Sequence, residues 1–311
     1  GMVSRNVSQY DQALDYYKEV VSAMPGTEYS KDALLAIESI YQAQKQPQKY
    51  LEYVEENSLV GDSADREEMY FSTAEKIYLA GNWQQAVSSI RKYIEMFPQG
   101  KGMNRMLFYL ADSYNSLGEK EKACDAYARV MELETSGSFA EISTLKYSSI
   151  SYSLERFKDA YRGYASLLAM AEIDANRKAA RLGMMRSAYR DKDFVSAISA
   201  AGVVRNSGDI DADEKREADY ILGKSYMAGS KRDQALAVFR ELSVSSNTPE
   251  GAEARYILLQ DAFDRGNFES VETMVYEFSK DAGDQYYWLA KSYLVLGDSF
   301  VERGKMDEAK A

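Results

Sequence analysis

Apolar positions recur along this chain with a helical period, and the pattern itself repeats. In residues 68–98 they fall three or four apart, which predicts an amphipathic helix. Gly81 and Asn82 interrupt the stripe, and a second one starts at Trp83 and ends before Pro98. Glycine adopts the left-handed backbone that ends helices, and proline cannot continue one. The stretch therefore predicts a helical hairpin.

Two series of residues recur in phase along the whole sequence. An aromatic residue returns at steps of 36 to 38 residues: Tyr41, Tyr78, Tyr114, Tyr152, Tyr189, Tyr226, Phe263 and Phe300. Eight or nine residues after each comes Tyr50, Ala86, Ala123, Ala160, Ala197, Ala235, Val271 or Ala309, with Ala13 one period earlier. Such a period is typical of arrays in which each unit packs only on its neighbours. We therefore expect one array of hairpins over residues 1–311.

The two series suggest different roles in the array. The alanines are expected where two helices cross so closely that only a methyl group fits. The aromatics are expected to fill the space between helices, with an exposed ladder for ligand stacking as the alternative. Turn glycines follow the aromatics at Gly81, Gly118, Gly229, Gly266 and Gly304. The turns at 155–156 and 191–192 lack glycine, and the unit with Pro47 and Tyr50 is expected to be the most irregular.

The pattern resembles the tetratricopeptide repeat (TPR), which has an aromatic on the first helix, glycine at the turn and alanine on the second helix. Phe157, Ala160, Tyr164 and Leu167 match the second-helix positions. The resemblance implies an all-α, right-handed superhelical α-solenoid of about eight TPR-like helical hairpins with a period of about 37 residues. The surplus over the common period lies between hairpins, at residues 100–102, 135–138 and 206–213. With these lengthened loops, the sequence resembles bacterial cell-envelope TPR proteins of the outer-membrane-assembly lipoprotein or Tol-Pal accessory type.

Both ends of the sequence look like partial repeats. Residues 10–24 are expected to form a second helix without its first, and residues 306–311 to begin a second helix. Complete arrays usually end in polar caps. We therefore expect a segment of a longer protein, with partial repeats at residues 1–29 and 285–311.

Composition excludes several classes of function. The formal net charge is −11 at pH 7 with pI near 4.8, so we expect no nucleic-acid partner. No stretch approaches the roughly 20 apolar residues of a membrane span. Histidine is absent, which removes the commonest general base and zinc ligand. Cys124 is interpreted as a small buried residue, with a reactive thiol as the alternative. We expect no enzyme activity, no catalytic residue, no cofactor and no metal.

One acidic loop begins like a calcium site. Asp209, Asp211 and Asp213 alternate as in an EF-hand, but Glu214 stands where glycine is needed and Tyr220 where glutamate is needed. We expect a helix cap at Asp213 instead. The pairs Glu67–Glu68 and Asp298–Glu302 are expected to be solvated.

The resemblance implies a concave groove lined by first helices, which takes an extended peptide or a partner's helix. The candidate groove residues are Glu68, Phe71, Glu75, Arg105, Phe108, Asp112, Asn115, Lys146, Arg186, Arg190, Lys224 and Gln260. Chaperone-tail readers in this family carry Lys-xxx-Asn on the first helix. The equivalent pairs here are Phe71 and Glu75, Phe108 and Asp112, and Leu182 and Arg186, so that clamp is not supported.

A basic cluster departs from the acidic background: Arg177, Lys178, Arg181, Arg186 and Arg190. It is either a docking point for an acidic peptide or lipid headgroup, or it pairs with carboxylates such as Asp191 and Asp193.

The sequence predicts a non-catalytic protein-binding scaffold that holds partner proteins or peptides on its concave face, in a bacterial envelope complex. The alternative is the sensory or regulatory TPR array of a larger signalling protein. A periplasmic or envelope setting is expected, with the cytoplasm as alternative and with membrane tethering only through a part outside this sequence.

Overall fold

The computed structural model describes residues 2–59, 63–133 and 137–310. In these ranges the regular structure is helical, with one 3-10 turn at Ser243–Ser245 and no strand, which confirms the all-α class. The helices are α1 (Met2–Ala23), α2 (Glu28–Ala43), α3 (Pro47–Glu56), α4 (Ser63–Leu79), α5 (Trp83–Met96), α6 (Met103–Ser116), α7 (Lys120–Leu133), α8 (Ser138–Ser153), α9 (Phe157–Met170), α10 (Asp174–Arg190), α11 (Phe194–Arg205), α12 (Ala212–Ala228), α13 (Arg232–Leu242), α14 (Pro249–Asp264), α15 (Phe268–Asp281), α16 (Tyr286–Glu302) and α17 (Met306–Lys310). None of the described helices has the length and apolar composition of a bilayer span.

The helices form consecutive hairpins. We call the even-numbered helices from α2 to α16 first helices, and the odd-numbered helices that follow them second helices. Each first helix packs against the following second helix in the pairs α4–α5, α6–α7, α10–α11, α12–α13 and α14–α15. Successive first helices are also in contact, for example α4 with α6 and α10 with α12. By its contacts the chain divides into two units, Gly1–Ser143 and Thr144–Ala311, and the division falls inside α8.

The small residues of the second helices lie where the sequence predicts. The side chains of Ala86, Ala123, Ala160, Ala197 and Ala235 have no solvent exposure. Their burial is as expected for positions where two helices cross closely. In α3, Tyr50 stands at the position that alanine occupies in the other second helices, and it is also buried. Helix α3 has ten residues.

The repeating aromatics are less buried than expected. Tyr41 and Phe300 are buried, whereas the other six members of the series are half-buried at the helix ends. The fully buried rings come mainly from the second helices: Tyr93, Tyr127, Phe239 and Phe278. The core is therefore built around the second-helix side chains four and seven residues after the small position.

One residue with a left-handed backbone closes every hairpin. These residues are Lys45, Gly81, Gly118, Glu155, Lys192, Ser230, Gly266 and Gly304, with φ between 58° and 78°. At each turn the next N–H donates to the carbonyl five residues back, as from Asp193 to Ala188 at 3.0 Å. This is the Schellman arrangement. Gly229 was the expected turn residue in its repeat, but its φ is −85° and Ser230 takes the left-handed position.

Two helices begin at residues other than those expected. The cap of α12 is Asp211, because its carboxylate accepts from the Glu214 N–H at 2.8 Å and the Glu214 carboxylate accepts from the Asp211 N–H at 2.9 Å. The expected cap at Asp213 is therefore wrong. Helix α1 begins at Met2, earlier than the expected start at Tyr10. The loop residues 135 and 136 and the terminal residues Gly1 and Ala311 lie outside the described residues.

Candidate functional site

A recess opens between α4 and α6 in the first unit. Its volume is about 510 Å³. The lining residues are Ala64, Glu67, Glu68, Phe71, Lys101, Gly102, Asn104, Arg105 and Phe139. Three predicted groove residues, Glu68, Phe71 and Arg105, thus line one cavity. Its wall is aromatic and its rim carries both signs of charge, a lining suited to peptide side chains.

Glycines let the loop before α6 close against the aromatic wall. A β-carbon on Gly102 would lie 2.3 Å from the Phe71 ring, and one on Gly100 would lie 2.4 Å from the Tyr93 hydroxyl. The Gly102 N–H donates to that hydroxyl at 3.1 Å, and the hydroxyl donates to Glu67 at 2.8 Å. Burial and the Glu67 hydrogen bond raise the pKa of Tyr93. Glu67 therefore holds the recess together, which corrects the expectation of a solvated carboxylate.

Two more predicted residues of this unit, Glu75 and Phe108, lie beside the recess and support its walls. Glu75 accepts from the Tyr109 hydroxyl at 2.8 Å and pairs with Arg105 at 3.4 Å. The guanidinium of Arg105 also covers the Phe71 ring, 5.4 Å from its centroid. Phe108 packs edge-on against Phe139 with centroids 5.1 Å apart.

Two predicted residues of the same unit do not reach the recess. The Asp112 carboxylate accepts hydrogen bonds from the Tyr78 and Tyr127 hydroxyls, so it binds neighbouring helices of the fold. Asn115 is half-buried one turn further along α6 and does not line the cavity.

A second recess lies between α8 and α10, within the second unit. Its volume is about 550 Å³. The lining residues are Leu145, Lys146, Ser149, Tyr152, Tyr164, Ala179, Leu182, Gly183 and Arg186. Two predicted groove residues, Lys146 and Arg186, stand on its opposite walls. Sequence reasoning missed its floor, although Gly183 in the middle of α10 was an available signal, because a glycine inside a helix marks a close approach.

The remaining predicted residues of the second unit lie outside this recess and are paired. Arg190 reaches Glu155 at 3.5 Å and stacks over Phe157, 4.9 Å from its centroid. Lys224 pairs with Glu253 at 2.7 Å. The Gln260 amide donates to Asp264 at 2.9 Å.

The basic cluster on α10 is neutralised by carboxylates of the same unit. Arg177 pairs with Asp174 at 2.9 Å and Lys178 with Glu214 at 2.6 Å. Arg181 pairs with Asp209 at 2.5 Å, and Arg186 with Glu217 at 2.6 Å. The expectation that these cations pair with carboxylates therefore describes the cluster. The partners lie mostly in the next repeat and are not Asp191 and Asp193.

Comparison with known protein families gives two matches, both described as tetratricopeptide repeat, at residues 105–133 and 220–270. These two segments are tetratricopeptide repeats. The first spans α6 and α7, and the second runs from α12 into α15. Proteins with this repeat are typically scaffolds for other proteins. A comparison with curated protein sequences finds no match.

Several solved structures share part of the fold. A tetratricopeptide repeat protein from Parabacteroides merdae is 14% identical, with 78% of this chain and 89% of that chain covered and a TM-score of 0.43. YrrB, described as a TPR protein with an unusual peptide-binding site, is 15% identical, with 62% and 89% covered and a TM-score of 0.43. MamA is 16% identical, with 57% and 89% covered and a TM-score of 0.41.

Proposed function

We propose that this chain is a non-catalytic scaffold that holds partner proteins or peptides along its first helices. The observation that carries the proposal is the recess between α4 and α6, where predicted groove residues converge on a cavity of about 510 Å³. Its aromatic wall is held by internal hydrogen bonds, so it is formed before any partner arrives. A preformed wall lowers the ordering cost of binding.

The surface chemistry supports a polypeptide partner. Phe71 and Phe139 offer apolar surface, while Glu68, Lys101 and Arg105 offer charges of both signs at the rim. An extended peptide presents side chains of both kinds at regular spacing. The net charge of −11 disfavours nucleic acid. We further propose a bacterial envelope complex as the setting, on the lengthened loops between hairpins; a regulatory array within a signalling protein is the alternative.

Selection from a random peptide library tests the scaffold role. The chain is immobilised, and peptides of twelve random residues displayed on phage are enriched against it. We expect enriched peptides whose binding falls at least tenfold with Arg105→Glu. The control is Arg129→Glu, the same charge reversal on the exposed face of α7, which should leave binding unchanged. Enrichment that is equally sensitive to both variants, or no enrichment, contradicts the proposal.

A further inference from the structure

The recess between α8 and α10 differs in charge from three other cavities of similar size among the described residues. Its lining holds Lys146 and Arg186 and no carboxylate. Three further cavities of about 500 to 510 Å³ each include carboxylates, namely Glu67 and Glu68, Asp11 and Asp15, or Glu95 and Asp125. In a chain of net charge −11, a recess whose charged lining residues are both cations is a suitable place for an anionic group.

The two cations remain able to bind an anion. Among the described residues, no carboxylate lies within ion-pair distance of the Lys146 ammonium, which stands exposed on α8. Arg186 is held by Glu217 through Nε and Nη2, at 2.7 and 2.6 Å. A guanidinium has five donors, so Arg186 keeps donors to spare while its position is fixed.

The floor of the recess is apolar and owes its depth to one glycine. The ring of Tyr164 lies flat against Gly183, where a β-carbon would come within 2.4 Å of it. Leu145, Leu182 and Ala179 complete the floor. Burial raises the pKa of the Tyr164 hydroxyl, so the phenol stays neutral. The floor therefore accepts an apolar group beside the cations.

We propose that this recess binds an acidic side chain of an extended peptide together with an apolar side chain two residues away. In an extended chain, side chains two positions apart point the same way, so one can meet the cations while the other covers the floor. This inference rests on the proposed scaffold function and names the class of partner for one of its sites. A flat anionic membrane fits less well, because the site is concave and belongs to an acidic chain.

Defined peptides test the inference directly. The probes are fluorescent ten-residue peptides, acetylated and amidated, in which Glu and Leu stand two positions apart with Ser between them. Matched probes carry Gln for every Glu. We expect the Glu peptide to bind about tenfold tighter than the Gln peptide in fluorescence anisotropy, as for one charge-assisted contact. Added salt should reduce the difference, because the cations are partly exposed.

A charge-removing variant locates the binding. Lys146→Met should weaken binding of the Glu peptide about tenfold and leave the Gln peptide unchanged. The control is Lys158→Met, the same change at an exposed lysine of α9 that does not line the recess. Both lysines are exposed, so circular dichroism and the unfolding midpoint should match those of the parent chain.

Several results would overturn the inference. They are equal binding of the Glu and Gln peptides, equal effects of the two lysine variants, binding only when the terminal amide is replaced by a free carboxylate, or Lys146-dependent binding to phosphatidylserine vesicles in place of the peptide. If library peptides bind the first helices while the Glu peptide has no advantage, the acidic class is wrong and the scaffold stands. If neither set binds, both fail.

Discussion

The hydroxyl of Tyr78 on α4 donates a hydrogen bond of 2.9 Å to the carboxylate of Asp112 on α6. The same carboxylate accepts from Tyr127 on α7 at 3.3 Å. One acidic side chain therefore joins the first helix of one repeat to both helices of the next. Burial, together with the nearby Asp112 charge, raises the pKa of both tyrosines and keeps them protonated as donors.

Removing this acceptor should destabilise the first unit. We expect Asp112→Ala to lower the free energy of unfolding by about 1–3 kcal/mol, because two hydroxyls in a largely buried site lose their partner. Tyr78→Phe should cost about 1–2 kcal/mol. The control is Tyr114→Phe, since the structure gives the Tyr114 hydroxyl no hydrogen bond within the described residues. Urea denaturation measures all three, and a Tyr114 variant as destabilised as the Tyr78 variant would contradict the assignment.

The left-handed turns predict a stabilising change. Lys192 has φ of 62°, a conformation that costs a side-chain-bearing residue about 1–2 kcal/mol relative to glycine, partly offset by the entropy that glycine loses on folding. We expect Lys192→Gly to raise the free energy of unfolding by about 0.5–1 kcal/mol. Lys192→Ala keeps the strain and removes the same charge, so it should give no gain. Equal urea midpoints for the two variants would argue against a strained turn.

Two glycines in helices should respond in opposite ways to alanine. At Gly183 the added methyl group would strike the Tyr164 ring, and we expect a loss of about 1–3 kcal/mol from overpacking. At Gly202, in α11, nothing lies within 4 Å of the new atom. Gly202→Ala should therefore gain about 0.5–1 kcal/mol through helix propensity. The midpoint temperatures of thermal unfolding of the two variants should shift in opposite directions. Shifts of the same sign would contradict this interpretation.

Alkaline pH should weaken the fold through the half-buried Tyr109. Burial first, and the Glu75 hydrogen bond second, raise the pKa of Tyr109 to about 12. The unfolded value is about 10, so the stability contributed by neutral Tyr109 is complete below pH 10 and is lost between about pH 10 and 12. In Glu75→Gln the Tyr109 pKa should fall, as followed by tyrosinate absorbance. Glu121→Gln, at an exposed site on α7, should leave the titration unchanged.

Residue patterns predicted the helices well because their cause is local. The spacing of apolar residues fixes which face of a helix is buried, and the alanines mark crossings where size alone decides. Residues such as Ala123 and Ala160 could therefore be placed from the sequence, and both have no exposure. Turn geometry was predicted less well, since Ser230 carries the left-handed angle next to a glycine that does not.

The candidate sites were only half predictable, because a recess is made by residues distant in sequence. Register placed Lys146 and Arg186 on first helices, and they do line one recess. It could not show that Glu217, from the following repeat, binds Arg186, or that no carboxylate among the described residues pairs with Lys146. The register also could not show that Asp112 points into the fold. The orientation of its side chain depends on the Tyr78 and Tyr127 hydroxyls, which donate hydrogen bonds to its carboxylate.

In the part of the chain that the structure describes, the left-handed residue that closes each hairpin returns every 36 to 38 residues, yet it is glycine in only four of these eight turns. What passes from one repeat to the next is thus a backbone angle and not an amino-acid type. A substitution at a turn can therefore remove the sequence pattern of the repeat while its two helices stay in place. The segment that matches the repeat family at residues 220–270 contains the serine turn at Ser230 as well as the glycine turn at Gly266, so a repeat without a turn glycine still lies within the family match.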